Sequence, residues 1–173
     1  VNDAPVLDVS KTPVMATQNE DSGPPSGAVG TLVSSLIDFA SPAGQVDNVA
    51  DVDSGPVTGI AVVAADTTNG TWYYTTDGGS NWNALGAVSN NSARLLVADV
   101  NTRLYFQPNA DYNGTSSAAL TVRAWDQTSG TAGTKVSTAS NGGTTAFSAG
   151  TTWIPNTRHA ATVGVADSVD AAI

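Results

Sequence analysis

Apolar and polar positions alternate in several short runs along this chain, and no long stretch has helical periodicity. Alternation between turn-forming clusters is typical of β-strands, because successive side chains of a strand point to opposite faces. The segment from Leu32 to Phe39 is compatible with a short strand or a helical turn. The pattern predicts strands at residues 57–64, 71–76, 103–106, 118–126 and 157–166.

Two of the predicted strands carry a clear apolar face. Ile60 and Val62 share one face of the first strand. Leu120, Val122 and Ala124 share one face of the fourth. Such faces pack on a core, so the runs together predict an all-β fold, either a sandwich or a barrel.

Two segments lack any strand pattern. Residues 19–30 contain Pro24-Pro25, which is incompatible with regular structure, and are predicted to form a loop. Residues 127–152 consist mainly of Gly, Ser, Thr and Asn, with few apolar residues to anchor them. Loops of this length within a compact domain are usually functional or disordered.

Length and charge narrow the class of protein. The 173 residues suit one domain, and cysteine is absent. A net charge of −9 argues against nucleic acid and anionic membrane surfaces as partners, because binding to phosphates needs clustered Lys and Arg. No run of apolar residues is long enough to span a membrane. Residues 1–5 and 168–173 resemble each other and read as linkers, so we expect residues 1–173 to form one domain of a longer tandem chain.

The acidic residues are of one kind and lie in turns. Fourteen of the fifteen are Asp, and Glu20 is the exception. Calcium prefers hard oxygen ligands of this type in loops, and carboxylates two residues apart in an extended turn face the same way. Solvated acids that cap turns are the alternative explanation. The candidate metal ligands are Asp3, Glu20, Asp21, Asp51, Asp53, Asp126 and Asp170.

Two further clusters are explained better by turn chemistry. Asp99 and Asn101 have the residue types of a calcium loop and are kept as candidate ligands, but such residues also bond to nearby backbone in turns. Residues 75–82 resemble the Asp-box, S/T-x-D-x-G-x-x-W, in which Asp77 fixes a hairpin and Trp82 packs beneath it. A structural hairpin is the favoured interpretation.

Catalytic signatures are weak. His159 is the only histidine, and the chain has no cysteine, which argues against zinc sites and cysteine nucleophiles. No nucleophile-elbow motif accompanies His159. Paired carboxylates that hydrolyse a glycoside are the remaining enzymatic alternative, and we expect a protein that is not an enzyme.

Several sequence segments of this chain resemble those of a known protein family. The linker VNDAP, the NED loop, the DVD pair and the closing TVGVAD look like cadherin-like domains, which stand in tandem along giant RTX adhesins of Gram-negative bacteria. The phrases NGTWYYTTDGGSNW, RLYFQPNADYNGT, LTVRAWDQTSGTAG and NGGTTAFS are more specific. Together they resemble the calcium-dependent peptide-binding domain of those adhesins, over nearly the whole chain.

The resemblance implies an extracellular, calcium-binding, cadherin- or immunoglobulin-like antiparallel β-sandwich on a bacterial surface. It implies a monomer that contacts neighbouring domains of its own chain and binds C-terminal ends of peptides on a host or neighbouring cell. An open calcium site and backbone N–H groups in Gly-rich turns would receive the terminal carboxylate. A Gly-rich calcium loop without ligand is the alternative. Candidate ligand-binding residues are Asp126, Gln127, Ser129, Asn141, Gly142 and Gly143, with Trp153 as a wall.

Two other functions stay open. A structural extender would only space other domains, which the linker at each end favours. A calcium-dependent carbohydrate-binding domain would use exposed aromatic residues, because rings stack on sugars. Trp72, Tyr73, Tyr74, Trp82 and Trp153 are candidates, whereas Trp125 is expected in the core.

Overall fold

The computed structural model describes residues 1–53 and 59–159, with only the backbone of the last two. The regular secondary structure of this part of the chain is almost entirely strand, and the predicted all-β class is confirmed. The segment from Leu32 to Phe39 forms a 3₁₀ helix at Val33–Leu36. The strands are β1 (Val6–Leu7), β2 (Gln18–Asn19), β3 (Thr31–Leu32), β4 (Val49–Ala50), β5 (Gly59–Ala65), β6 (Gly70–Thr75), β7 (Asn83–Ala84), β8 (Ala93–Val97), β9 (Arg103–Pro108), β10 (Gly114–Trp125), β11 (Lys135–Val136) and β12 (Thr152–His159).

The strands form two larger sheets and one small one. The six-stranded sheet has the order β11-β8-β5-β10-β12-β2, and the four-stranded sheet has the order β3-β9-β6-β7. β1 and β4 pair by themselves. Neighbouring strands are antiparallel except β12 and β2, which run parallel. The outermost strand at every edge of the two larger sheets is two residues long.

The two larger sheets share one apolar core, an arrangement consistent with a β-sandwich. Ile60, Val62 and Leu120 of the six-stranded sheet pack in the same buried cluster as Trp72 and Phe106 of the four-stranded sheet. The Trp72 and Phe106 rings lie 4.9 Å apart. The predicted inward faces of β5 and β10 are therefore correct.

The other face of the six-stranded sheet is also covered, by residues 127–151, which we call the cover segment. Trp125 and Leu95 from the sheet form a second buried cluster with Phe147 of this segment. The indole Nε1 of Trp125 donates to the Ser129 carbonyl at 2.7 Å. Gly130 lies so close that an added Cβ would come 2.4 Å from a methyl of Leu95. A segment that lacks a strand pattern thus packs as a third layer, except at β11, which pairs with β8 at the edge of the sheet.

The last strand begins earlier than the sequence pattern predicts. β12 starts at Thr152, and most of the predicted strand 157–166 lies outside the described residues. Thr152, Ile154 and Asn156 are buried, whereas Trp153 is exposed. Buried and exposed side chains therefore alternate along β12. Two of the three buried residues are polar, so the alternation is not visible as a pattern of apolar residues. β8 was missed as well, although Leu95 and Leu96 are buried on its opposite faces.

No helix in the described part of the chain is long and apolar enough to span a membrane.

Candidate functional site

The N-terminal segment lies between two acidic loops. The Asp3 amide donates to Asp53 Oδ2 at 2.7 Å, and the Asn2 side-chain amide donates to Asp126 Oδ2 at 3.0 Å. Asn2 also donates to the Thr145 carbonyl at 3.1 Å. Two successive residues therefore connect loops that are more than seventy residues apart in sequence, and three predicted metal ligands meet in one region.

Asp51 belongs to the same region. Its Oδ1 accepts the Asp53 amide at 2.9 Å, which closes the DVD turn and orients both carboxylates. Asp126 closes a similar turn at the end of β10, where its Oδ1 accepts the amide and the hydroxyl of Thr128 at 2.8 and 2.6 Å. The two loops are thus shaped by their own carboxylates before any ligand is considered.

The cover segment forms one wall of this region. The Ala4 amide donates to the Gly143 carbonyl at 2.7 Å. A shallow groove of about 210 Å³ follows, between residues 4–7 on one side and Gly142, Gly143, Ala149 and Gly150 on the other. Candidate ligand residues and candidate metal ligands are therefore neighbours, because the N-terminal segment touches both.

The remaining candidate ligand residues support the cover segment itself. Gln127 adopts a left-handed backbone conformation with a φ of 65° directly after Asp126. The Asn141 side-chain amide donates to the carbonyls of Thr138 and Ala139 at 2.9 and 3.2 Å. The Ser129 carbonyl accepts the Trp125 indole. Gln127, Ser129 and Asn141 thus shape turns of the segment.

The chemistry of this donor set fits calcium. The carboxylates of Asp3, Asp51, Asp53 and Asp126, the amide side chain of Asn2 and the carbonyls of residues 143 and 145 are all hard oxygen donors. The carboxylates of Asp53 and Asp126 face N–H donors of the N-terminal segment. Within residues 1–53 and 59–159, no three acidic or histidine side chains converge as a metal-binding group. The residues are suited to the ion by type, and their oxygens are grouped around the N-terminal segment.

A second acidic group lies at the other end of β10. Asn113, just before this strand, donates to Glu20 Oε2 at 2.9 Å. The Asp111 amide donates to Asp21 Oδ1 at 2.9 Å. Asp21 and Asp111 both have a positive φ. β10 has twelve residues, so the two groups stand roughly 35 Å apart at about 3.3 Å per residue. We name the two ends the Asp126 end and the Gly114 end.

Asp99 and Asn101 lie apart from both groups. Asp99 Oδ1 accepts the amides of Asn101 and Thr102 at 2.9 and 2.7 Å, in the turn between β8 and β9. The Asn101 carbonyl accepts the Gly78 amide at 3.0 Å. These contacts are typical of a turn, which is the interpretation that the residue types of this segment favoured.

The Asp-box residues form a hairpin between β6 and β7. Asp77 Oδ1 accepts the Asn81 amide at 2.9 Å, and Oδ2 accepts its side-chain amide at 2.7 Å. These bonds, with one from the Thr75 hydroxyl, lower the pKa of Asp77 to about 2. Trp82 packs edge-on against Tyr105 and donates to the Gly27 carbonyl. The structural interpretation of this motif is confirmed.

Trp153 lies in a groove next to that of Gly142 and Gly143. Its side chain is 63% exposed and lines a groove of about 260 Å³ together with Val9, Thr12, Ser117 and Thr151. Trp153 is thus a wall of a neighbouring groove rather than of the one beside Asp126.

Sequence reasoning missed some partners of the candidate residues. Asn2, Asp111 and Asn113 each contact a predicted metal ligand. The side-chain amides of Asn2 and Asn113 were the available signal, whereas Asp111 makes its contact through the backbone amide, which residue type does not reveal. Asp170 lies outside the described residues. No protein family, curated protein or solved structure was found to match this chain.

Proposed function

We propose that this chain is an extracellular adhesion domain of a bacterial surface protein, with a cadherin-like sandwich that calcium stiffens and that binds C-terminal ends of peptides. One observation carries the proposal. Successive residues of the N-terminal segment hydrogen-bond to the Asp51–Asp53 loop, to the Asp126 turn and to the cover segment. A segment that enters the domain through oxygen-rich loops is suited to control by a divalent cation.

At the Asp126 end, Asp51, Asp53 and Asp126 would hold the ion, with Asn2 and Asp3 as further oxygen donors. Calcium would supply positive charge that offsets the repulsion of these carboxylates and ties both loops to the N-terminal segment. The residues of this chain fix the loops through Asp51 and Thr128.

At the Gly114 end, Glu20 and Asp21 would act in the same way. Glu20 is buried and already accepts the Asn113 amide, so its carboxylate is held in place. β2, which precedes it, pairs with residues 158–159 of β12. The N-terminal segment and the end of β12 therefore lie at opposite ends of β10.

The peptide end would bind beside Gly142 and Gly143. Their groove is lined by residues 4–7 of the N-terminal segment, whose Asn2 bonds to Asp126, and their turn has two residues with positive φ that only glycine adopts easily. Backbone groups can therefore approach a ligand closely. Gln127, Ser129 and Asn141 hold the turns around it.

Titration of peptide libraries with free and with amidated C-termini tests this function. We expect binding of some free C-termini in millimolar calcium and its loss on adding chelator. Asp126→Asn should weaken binding, whereas Asp99→Asn, in the turn between β8 and β9, is the matched control. Absence of any calcium-dependent binder would refute peptide recognition. An unchanged melting temperature with chelator would refute the calcium site.

A second candidate is carbohydrate binding, favoured by the exposed Trp153. The groove of this ring is lined by Thr12, Ser117 and Thr151, which are neutral hydroxyl groups. Indole faces stack on sugars, and hydroxyls bond to theirs. A glycan array with Trp153→Ala as control tests it, and equal binding by the variant would exclude this groove. The extender alternative predicts no ligand in either screen.

A further inference from the structure

A third groove lies away from both acidic ends, between the segment 14–16 and the beginning of the four-stranded sheet. Its volume is about 440 Å³. Val14, Met15, Leu32 and Phe39 give it apolar walls, and Arg103 stands at its side. Val14 is 63% exposed and Phe39 is 40% exposed, which is unusual for apolar side chains that line the same concave surface.

Arg103 differs from the other arginines whose side chains are described. Arg94 donates to the carbonyls of Leu85 and Gly133, and Arg123 donates to those of Ser148 and Ala149. The Nε atoms of all three arginines are buried without a partner, but the terminal guanidinium nitrogens of Arg103 make no hydrogen bond to the described residues. A guanidinium in this position is suited to bind a planar anion, because its donors match a carboxylate.

The polar groups of the walls are already occupied. Thr31 Oγ1 accepts the Ala16 amide at 2.9 Å, and the Ser35 hydroxyl donates to the Leu32 carbonyl at 2.7 Å. The side chains of the groove thus offer apolar surface and one cation. A peptide brings amides that need partners, whereas an alkyl carboxylate has a single polar end.

The charge distribution also favours a carboxylate ligand at Arg103. The chain has a net charge of −9, so its overall field repels anions, and a carboxylate ligand needs a local cation to bind. Six basic residues are available in all, and Arg103 is the one that lines this groove. The loop that carries Phe39 is held by Asp47, whose Oδ2 accepts the Phe39 and Ala40 amides, so this wall is preformed.

We propose that this groove binds a medium-chain alkyl carboxylate, with its chain against Val14, Leu32 and Phe39 and its carboxylate on Arg103. The proposal goes beyond the adhesive function, since it involves neither calcium nor the cover segment. Failure of one therefore leaves the other unaffected.

Titration of the full chain with octanoate, below its micelle-forming concentration and with chelator present, tests the proposal. Two-dimensional ¹H–¹⁵N NMR should show saturable shifts at Val14, Leu32, Phe39 and Arg103. Octanol should bind more weakly by about tenfold or more, because a charge-assisted hydrogen bond is lost.

Two variants make the test decisive. Arg103→Gln should weaken octanoate binding by about tenfold or more, while Lys11→Gln, an exposed cation elsewhere, should not. Val14→Asp places a negative charge on an exposed wall position and should also weaken it, even if Arg103→Gln alters folding. Equal binding by both groove variants, shifts spread over the surface without saturation, or peptides that shift Val14 and Arg103 while octanoate does not would each overturn the proposal.

Discussion

The two faces of the six-stranded sheet are buried in different ways. The inner face packs against a second sheet through apolar side chains such as Ile60 and Leu120. The outer face lies under the cover segment, where Trp125 packs with Phe147. The Arg123 side chain also reaches this segment, through hydrogen bonds. Arg123 donates to three successive carbonyls, those of residues 148–150, at 2.6 to 3.5 Å, and to the Asn90 side chain at 3.1 Å.

The difference concerns what holds each layer in place. Apolar burial is non-directional and scales with area, so the inner layer depends on complementary strand faces. The cover segment has little apolar surface and is positioned by directional hydrogen bonds from a few sheet residues. We expect the inner face to determine global stability and the outer face to determine the order of the cover segment, where the candidate ligand groove lies.

The largest expected effect is on the inner face. Leu120→Ala removes a fully buried side chain and should lower the free energy of unfolding by about 2–5 kcal/mol. Chemical denaturation measures this loss. Thr121→Ala, at the next position and on the other face, is the control and should cost less than about 1 kcal/mol. Similar losses for the two variants would remove the distinction between the faces.

Calcium should act on the outer layer. At a free concentration one hundred times its Kd, the ion should stabilise the domain by about 2.7 kcal/mol. Because Asp126 and Gly143 link the N-terminal segment to the cover segment, chelator should accelerate amide hydrogen exchange at Gly142 and Phe147. Exchange in the centre of β10 should change little. Uniform acceleration along the chain would contradict a calcium effect confined to one layer.

Arg123→Met should loosen the cover segment without unfolding the sheets. The substitution removes charge-assisted hydrogen bonds and should cost about 2 kcal/mol, measured by denaturation. Proteolysis within residues 127–151 should increase, while near-ultraviolet circular dichroism of the buried Trp72 environment persists. Arg123→Lys is the control, and it should recover part of the loss because one cation still reaches the carbonyls. A fully cooperative loss of both layers would show that the faces are one unit.

The smallest effect concerns a hairpin outside both layers. The pKa of Asp77 is lowered from 3.8 to about 2. The charged carboxylate therefore stabilises the folded hairpin at pH values above 3.8, the pKa in the unfolded chain. This contribution should decrease as the pH falls from about 4 towards 2. NMR titration of the Asp77 carboxyl and the Asn81 amide measures it. In Asp77→Asn the Asn81 response should vanish, and a normal Asp77 pKa would refute the hairpin bonding.

The inner layer could be predicted from sequence, and the outer layer could not. Ile60 and Val62 of β5, and Leu120 and Val122 of β10, recur at every second position and identified both strands, although the opposite face of this sheet is buried as well. The cover segment has no such periodicity, since its position depends on side chains that bond to backbone carbonyls: Trp125 to that of Ser129, four residues on, and Arg123 to that of Ser148, 25 residues on. β12 was placed too late because Thr152 and Asn156 occupy buried positions.

The candidate site residues also divide into those that the sequence predicts and those that depend on the fold. Residue type and turn context selected Asp51, Asp53 and Asp126, which the fold brings into one region with Asp3. That Glu20 stands at the opposite end depends on chain topology, which residue types do not encode. The exposure of Trp153 likewise depends on what the neighbouring strands leave uncovered.

The two-residue outermost strands have a consequence for assembly. An unpaired strand offers a row of amides and carbonyls to any strand of another molecule, and long flat edges of this kind promote aggregation. Here the longer strands β8, β12, β9 and β6 each carry on their outer side a strand of only two residues, which covers part of their length. At these positions an approaching strand meets a template of two residues, which is too short to support extension of the sheet.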